Sequence, residues 1–334
     1  MFTSILAATD RVTGRDPVVI SAARMASALG ASWSIMHVLA SASPDNHERV
    51  LHFCTGQTVD ATARYRSEVR RQLRYAYSDL FAWSTPCEIR IATGIPWKEI
   101  DRQASLLAAD LIIMGPHAGD RDKHNLLRVR GQIGSTVKGV ITRQRCPVLM
   151  INQHPCRPKP VFKRLLVGLD FSASCESALG FAGDLGRFYQ AHIDLFHMLP
   201  IPPYPKYTRD DYDADRDSAL GKMALFSRPY LDGVSHSFHC WGGAIPYQEL
   251  CKCAAKCQTD AIVIGSHTKE NQGKWYAGST VEKMGLRTAS PVFVLTHSST
   301  LPRWGKSRPL TQQPVSARDH TIHVFGKNLA DSVP

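Results

Sequence analysis

ADLIIMGPH at residues 109–117 returns as TDAIVIGSH at residues 259–267. In both copies an unbroken apolar run follows an acidic or polar step and ends at a glycine, with histidine two residues beyond. A short apolar run without polar alternation fits a strand covered on both faces, as in a parallel sheet. The recurrence fixes the next question, which is whether the flanking sequence repeats as well.

It does, in the same order. SILAATD (4–10) matches RLLVGLD (164–170), each an apolar strand that ends in aspartate. SIMHVLA (34–40) matches DLFHMLP (194–200), with His37 and His197 in register. TGIPWKEI (93–100) matches GAIPYQEL (243–250), with Pro96 and Pro246 opening helices. IGSTVKGVITRQRCPVLMIN (133–152) matches AGSTVEKMGLRTASPVFVLT (277–296). Five blocks in one order identify a duplicated unit.

Within each unit, short apolar runs alternate with longer helical patterns, the mark of βαβ units. The first unit predicts strands near 2–8, 32–39, 87–92, 110–115 and 147–151, and helices near 17–29, 58–82, 97–108 and 135–144. The second predicts strands near 164–169, 192–198, 234–240, 260–265 and 291–295. The fold class is α/β, two tandem doubly wound five-stranded parallel sheets spanning 1–152 and 162–297. QHPCRPKP (153–160) carries three prolines and reads, with residue 161, as a linker. Residues 298–334 are rich in Pro, Ser and Gln and read as a disordered basic tail, within which TIHVF (321–325) has strand character.

Composition agrees with two cores. The chain has 334 residues, 43% hydrophobic and 21% charged, against a usual ~100–200 residues per domain. The N-terminal run meets Asp10 early and has no basic leader, so no signal peptide or membrane span is expected. Nine cysteines without framework spacing point to a reducing cytoplasm. The net charge of +11 is spread thin, with 19 basic against 13 acidic residues in 1–152 and 14 against 14 in 162–297. Its densest cluster, Arg64 to Arg74, falls at helical spacing and reads as a solvated helix face. No aromatic-basic motif or helix-turn-helix signal accompanies it, so nucleic acid is not the expected partner.

In an open parallel sheet, ligands bind beyond the carboxyl ends of the strands, where the strand order reverses. Asp10 and Asp170 end the first strand of each unit, where a carboxylate can accept hydrogen bonds from a ribose or base. Gly115 and Gly265 end the fourth, and Gly134-Ser135-Thr136 and Gly278-Ser279-Thr280 open the last helix. A glycine followed by hydroxyls at a helix start suits phosphate, through free N–H groups and the dipole. The same residues serve equally as plain N-caps.

A strand-end Asp, then G-x-x-G-x9-G-[ST], then a final strand written PV and two apolar residues, resembles the universal stress protein family over 1–152 and 162–297. The resemblance implies strand order 3-2-1-4-5 and, in one subclass, bound ATP, with Mg as a possible companion. By position, the adenine and ribose side would involve Thr9, Asp10 and Val38, or Leu169, Asp170 and Met198. The phosphate side would involve Gly115, Gly134, Ser135 and Thr136, or Gly265, Gly278, Ser279 and Thr280. The second unit keeps thirteen residues between Gly265 and Gly278 but has Thr268 for the family's second glycine. The first has Ala118 there, with Gly119 next, and a nineteen-residue span containing RDKHNLLRVR, which reads as a phosphate-reaching or a solvated loop. The shorter span favours the second unit if only one holds ATP.

The remaining candidates read as follows. His117 and His267 sit at the expected site mouth, while His37 and His197 read as satisfied core histidines. HSFHC (236–240) and CKCAAKC (251–257) form the richest Cys/His region, with His236 and Cys240 on one strand face and Cys253 and Cys257 one helical turn apart. Zinc is chemically sensible there, but the spacing fits no established finger and small cysteines packing on a sheet account for it, so no metal is assigned. Without a Walker lysine, nucleophile elbow or HEXXH helix, the function read here is a stress-response regulator or sensor binding adenine nucleotide, with at most slow ATP hydrolysis. The alternatives are a nucleotide-free tandem scaffold and an enzyme on a small phosphorylated substrate. The exposed final strands CPVLMIN and SPVFVLT predict an intramolecular pseudo-dimer that hides both edges, with a further homodimer open.

Overall fold

The computed structural model describes residues 1–10, 14–43, 46–52, 55–116, 133–144, 146–152, 161–200, 207–266 and 279–295. The 153–160 linker, the loops after the fourth strands and the tail lie outside them.

The first half runs β1 (Ser4–Ala8), α1 (Pro17–Leu29), β2 (Ser32–Ser43), β3 (Asn46–Leu51), β4 (Thr58–Asp60), α2 (Ala63–Ala76) and α3 (Ser78–Phe81). It continues with β5 (Cys87–Gly94), α4 (Pro96–Leu106), β6 (Leu111–Met114), α5 (Ser135–Arg143) and β7 (Val148–Met150). The second half runs β8 (Arg164–Gly168), α6 (Ala173–Tyr189), β9 (His192–Pro200), α7 (Arg209–Ser227) and β10 (His236–Gly243). It closes with α8 (Pro246–Cys257), β11 (Ala261–Gly265), α9 (Ser279–Arg287) and β12 (Val292–Leu295).

The protein is α/β with a mainly parallel sheet. The first half orders its strands β5-β2-β1-β6-β7, all parallel. The second orders them β10-β9-β8-β11-β12, again parallel. The sheets join where β7 pairs antiparallel with β12, setting Val148 opposite Val294, Leu149 opposite Phe293 and Met150 opposite Val292. Every residue of β6, β7 and β12 is buried, as strands with helices on both faces must be.

Helices split between the two faces. One core holds Val18, Val19 and Ala22 of α1, Val69 and Leu73 of α2, Leu179 and Phe181 of α6, and Met223 of α7. The other holds Ile100 of α4, Val137 and Val140 of α5, Leu250 and Cys253 of α8, and Val281 and Met284 of α9. Both cores cross the seam. On the first face Phe293 meets Phe162 and Phe181 edge-on at 5.4 and 5.2 Å and stacks on Phe2 of the other half at 6.4 Å. On the second face Lys138 pairs with Glu282 at 2.8 Å, and the Asn152 amide donates to the Leu286 carbonyl at 3.0 Å.

The stretch expected as one helix near 58–82 divides. Gly56, at φ +71°, turns β3 into β4, and β-branched Val59 pairs with Val50. Thr62 then caps α2, its side chain accepting from the Tyr65 N–H at 3.1 Å. Only Val69 and Leu73 of α2 are buried, so its arginines lie on the solvent side. No helix among the described residues is long and apolar enough to cross a membrane.

Phe293 is fully buried where both halves meet. Phe293→Ala is expected to cost about 3–5 kcal/mol in urea unfolding, and to weaken both halves within one transition. A wild-type protein that unfolds in two independent steps would refute the shared core.

Candidate functional site

The strand order reverses between β1 and β6 in one half and between β8 and β11 in the other. At each reversal the first strand ends on a histidine-anchored carbonyl. The Thr9 N–H donates to the Met36 carbonyl at 2.9 Å, and the Thr9 carbonyl accepts from His37 Nδ1 at 2.9 Å. Leu169 repeats this, donating to the Phe196 carbonyl at 2.8 Å and accepting from His197 Nδ1 at 2.9 Å. A carbonyl can only accept, so Nδ1 carries the proton in both rings. The two histidines therefore lock the strand end and orient the aspartate that follows.

The aspartates then sit in different surroundings. In the first half the Thr9 hydroxyl donates to Asp16 at 2.5 Å, and Asp16 caps α1 by accepting from the Val18 N–H at 2.9 Å; Asp10 is half-buried beside them. In the second half Asp170 is exposed and accepts from the Ser172 N–H at 3.1 Å and hydroxyl at 2.6 Å. Ser172 in turn caps α6, accepting from the Cys175 N–H at 3.2 Å. Burial pushes the Cys175 thiol up to about 12, which keeps it unreactive. Val38 and Met198 are half-buried against the core on the α4 and α8 side.

Pairing brings the phosphate-side residues next to these strand ends. Ala8 lies opposite Met114, so Thr9 and Asp10 neighbour Gly115. The Gly134 N–H donates to the Pro116 carbonyl at 2.9 Å, which ties the start of α5 to the end of β6. Gly134 is the N-cap of α5 and offers no side-chain cap, while Ser135 is exposed and Thr136 half-buried. In the second half Val167 lies opposite Val263, so Leu169 and Asp170 neighbour Gly265. Thr280 is half-buried in the first turn of α9, which begins at Ser279. Gly278, the Ser279 side chain, His117, His267, Ala118, Gly119, Thr268 and RDKHNLLRVR fall outside the described residues.

Gly265 has a structural reason to be glycine. A Cβ there would stand 2.4 Å from the carbonyl carbon and oxygen of Ser174, because the first turn of α6 rests on it. Close helix approach, and not ligand contact alone, excludes a side chain.

The Cys/His region singled out in the sequence gathers around a particular histidine. On β10 the alternation puts His236, Phe238 and Cys240 toward α7, and Ser237, His239 and Trp241 toward α8. The histidine facing Cys253 and Cys257 is therefore His239, and the expected pair His236 and Cys240 lies on the opposite face. His239 Nε2 lies 3.6 Å from Cys257 Sγ and 2.7 Å from Asp194 Oδ1. Asp194 is fully buried on β9 and takes two hydrogen bonds from Arg164, at 2.7 and 3.2 Å. Burial alone would raise Asp194, but the bonds from His239 and Arg164 outweigh it and hold the carboxyl down at about 2. Asp194 was visible as a charge inside an apolar strand, which was the available signal for a buried partner.

The profile of the Universal stress protein family matches residues 1–152 and again 162–296. A universal stress protein from Archaeoglobus fulgidus DSM 4304 superposes at a TM-score of 0.59 with 19% identity, over 88% of this chain and 96% of its own. One from Pseudomonas aeruginosa UCBPP-PA14 does so at 0.57 with 15% identity, over 91% and 96%. A half-length one from Archaeoglobus fulgidus in complex with dAMP aligns at 0.31 with 20% identity, over 40% of this chain and 98% of its own. No curated protein matches the chain.

Gly265→Val separates packing from ligand contact. It is expected to lower stability by about 1–3 kcal/mol through overpacking against Ser174, read as a drop in Tm without added ligand. An unchanged Tm would return the glycine to a purely ligand-side role.

Proposed function

Because the chain belongs to the universal stress protein family, we propose that it is a stress-response regulator that holds an adenine nucleotide, ATP, at the second half's strand reversal. The observation that carries this is the repeated strand end, in which a histidine-held carbonyl presents an aspartate beside a strand-end glycine. Asp170 would accept from the ribose or base edge, with Leu169 and Met198 beside it. Gly265, Gly278, Ser279 and Thr280 would take the phosphates, and Mg would accompany them. The first half offers Thr9, Asp10, Val38, Gly115, Gly134, Ser135 and Thr136 in the same roles. Its span from Gly115 to Gly134 is six residues longer than that from Gly265 to Gly278, which favours the second half for ATP.

The residues fit the group in kind. In the first half Gly134, the N-cap of α5, offers no side-chain cap to the first N–H groups of that helix, the kind of helix start that suits an anion. Among the described residues the strand-end hydroxyls of Thr9 and Ser172 are tied into the capping of α1 and α6, which suits a sensor more than a metabolic enzyme. The two halves would act as an intramolecular pseudo-dimer in a reducing cytoplasm, and the antiparallel contact of β7 with β12 supports that reading.

A nucleotide-free scaffold is the second reading, and one observation favours it. Asp170 already accepts two hydrogen bonds from Ser172, so a ligand would have to share a satisfied carboxylate. Calorimetry with ATP, with and without Mg, on nucleotide-free protein separates the two. Asp170→Ala is expected to weaken ATP by about 10- to 100-fold, the worth of a hydrogen bond to a charged group, and Asp10→Ala by less. No heat from the wild type, with no nucleotide released on denaturing freshly purified protein, would establish the scaffold.

A further inference from the structure

The second half carries a set of donors that the nucleotide reading does not use. Cys253 and Cys257 are one turn apart on α8, and His239 reaches them from β10. Their sulfur and nitrogen ligand atoms all lie within 4.8 Å of one another. All three residues are buried, at 0%, 5% and 8% exposure. We propose that Cys253, Cys257 and His239 bind one zinc ion that pins α8 to the sheet.

The distances fit the ion. Zinc bonds thiolate sulfur at about 2.3 Å and imidazole nitrogen at about 2.0–2.1 Å, so a tetrahedral site separates two sulfurs by about 3.8 Å and a sulfur from a nitrogen by about 3.6 Å. Here the two sulfurs are 4.0 Å apart, and Cys257 Sγ is 3.6 Å from His239 Nε2. Ordinary packing of two thiols and a ring does not require all three atoms to converge. The carboxylate Asp194 Oδ1 lies 2.7 Å from the same nitrogen, a hydrogen-bond distance shorter than the about 3.3 Å between two such ligand atoms on a tetrahedral zinc, so it stands beside the three-residue ligand set and not in it. Zinc replaces the proton that Nε2 shares with that carboxylate, and the two thiols release theirs on binding.

Charge closes as well. Two thiolates neutralise the dication, and Asp194 brings one further negative charge that Arg164 balances through its paired hydrogen bonds. A buried site of this kind therefore carries no net charge, which is the condition for burying ions at all. Soft sulfur with imidazole selects zinc over magnesium or calcium. Full burial makes the ion structural, since no face is left for a substrate.

The other half shows what stands here without the cluster. Matched through the strand register, Arg90 takes the place of His239, because Arg90 lies opposite Met36 as His239 lies opposite Phe196. Gln103 and Leu107 take the places of Cys253 and Cys257 by the Pro96 and Pro246 alignment. Arg90 donates to Gln103 at 3.1 Å, so a hydrogen bond joins strand to helix where the second half has thiols and imidazole. The proposal is independent of nucleotide binding in either half.

Full-length protein purified under reducing conditions tests it by metal analysis and by competition of Zn(II) against a chromogenic chelator. About one zinc per chain is expected, with tetrahedral thiolate bands when Co(II) is used instead. His239→Gln and Cys253→Ser should each weaken zinc at least tenfold, and the pair should abolish it. Cys240→Ser and His236→Gln, on the opposite face of β10, should leave it unchanged. Far-UV circular dichroism confirms that each variant is folded; His239→Gln, which can still donate to Asp194, guards against loss by unfolding. Folded, reduced wild type that takes up no zinc overturns the site, as does binding that survives the double substitution. Protein isolated with Cys253 and Cys257 joined as a disulfide and no metal would overturn it too.

Discussion

The molecule depends on what happens to two strand edges. β7 and β12 are short, apolar and last in their sheets, and each alone would offer unpaired N–H and C=O groups to any passing chain. Pairing them antiparallel removes both edges at once and lets two modest cores become continuous. Phe2, Phe181 and Phe293 then pack as one cluster although they come from the two halves. The helices inherit their places from this: α5 and α9 meet across the seam, where Lys138 finds Glu282.

The same arrangement decides where polar chemistry can survive. Most of the sheet is covered on both faces, so a charged residue within it must be matched. Asp194 is matched twice, by Arg164 and by His239. His37 and His197 are matched by the strand-end carbonyls of Thr9 and Leu169. Other polar groups gather at strand ends and helix starts, where the ligand-side candidates lie and bond to one another.

The duplicated blocks made the architecture legible, because the apolar run LIIM and its partner AIVIG can only be doubly covered strands in a βαβ chain. The β3–β4 ribbon was not legible: Thr58, Val59 and Asp60 precede a strong helix signal, and only pairing with Arg49, Val50 and Leu51 makes them strand. Of the candidate site, Asp10, Asp170 and the Gly134-led start of α5 stand at the strand ends and helix start where position alone put them. The role of His37 and His197 as anchors could not be read in this way, since a histidine in an apolar run carries no mark of which carbonyl it will meet. The histidine that meets the cysteines was not legible for a related reason. HSFHC offers histidines on both faces, and only the packing of α8 shows that His239 is the one turned toward the cysteines.

The antiparallel seam sets the direction of each half. Strands within each half are parallel to one another, so reversing direction at β7 and β12 reverses the whole half. The carboxyl ends of the first half's strands and those of the second therefore open at opposite poles of the sheet. Among the described residues the span between them is filled by the two hydrophobic cores. A displacement at one pole reaches the other as a shift of helices packed across the seam, as where Lys138 of α5 meets Glu282 of α9.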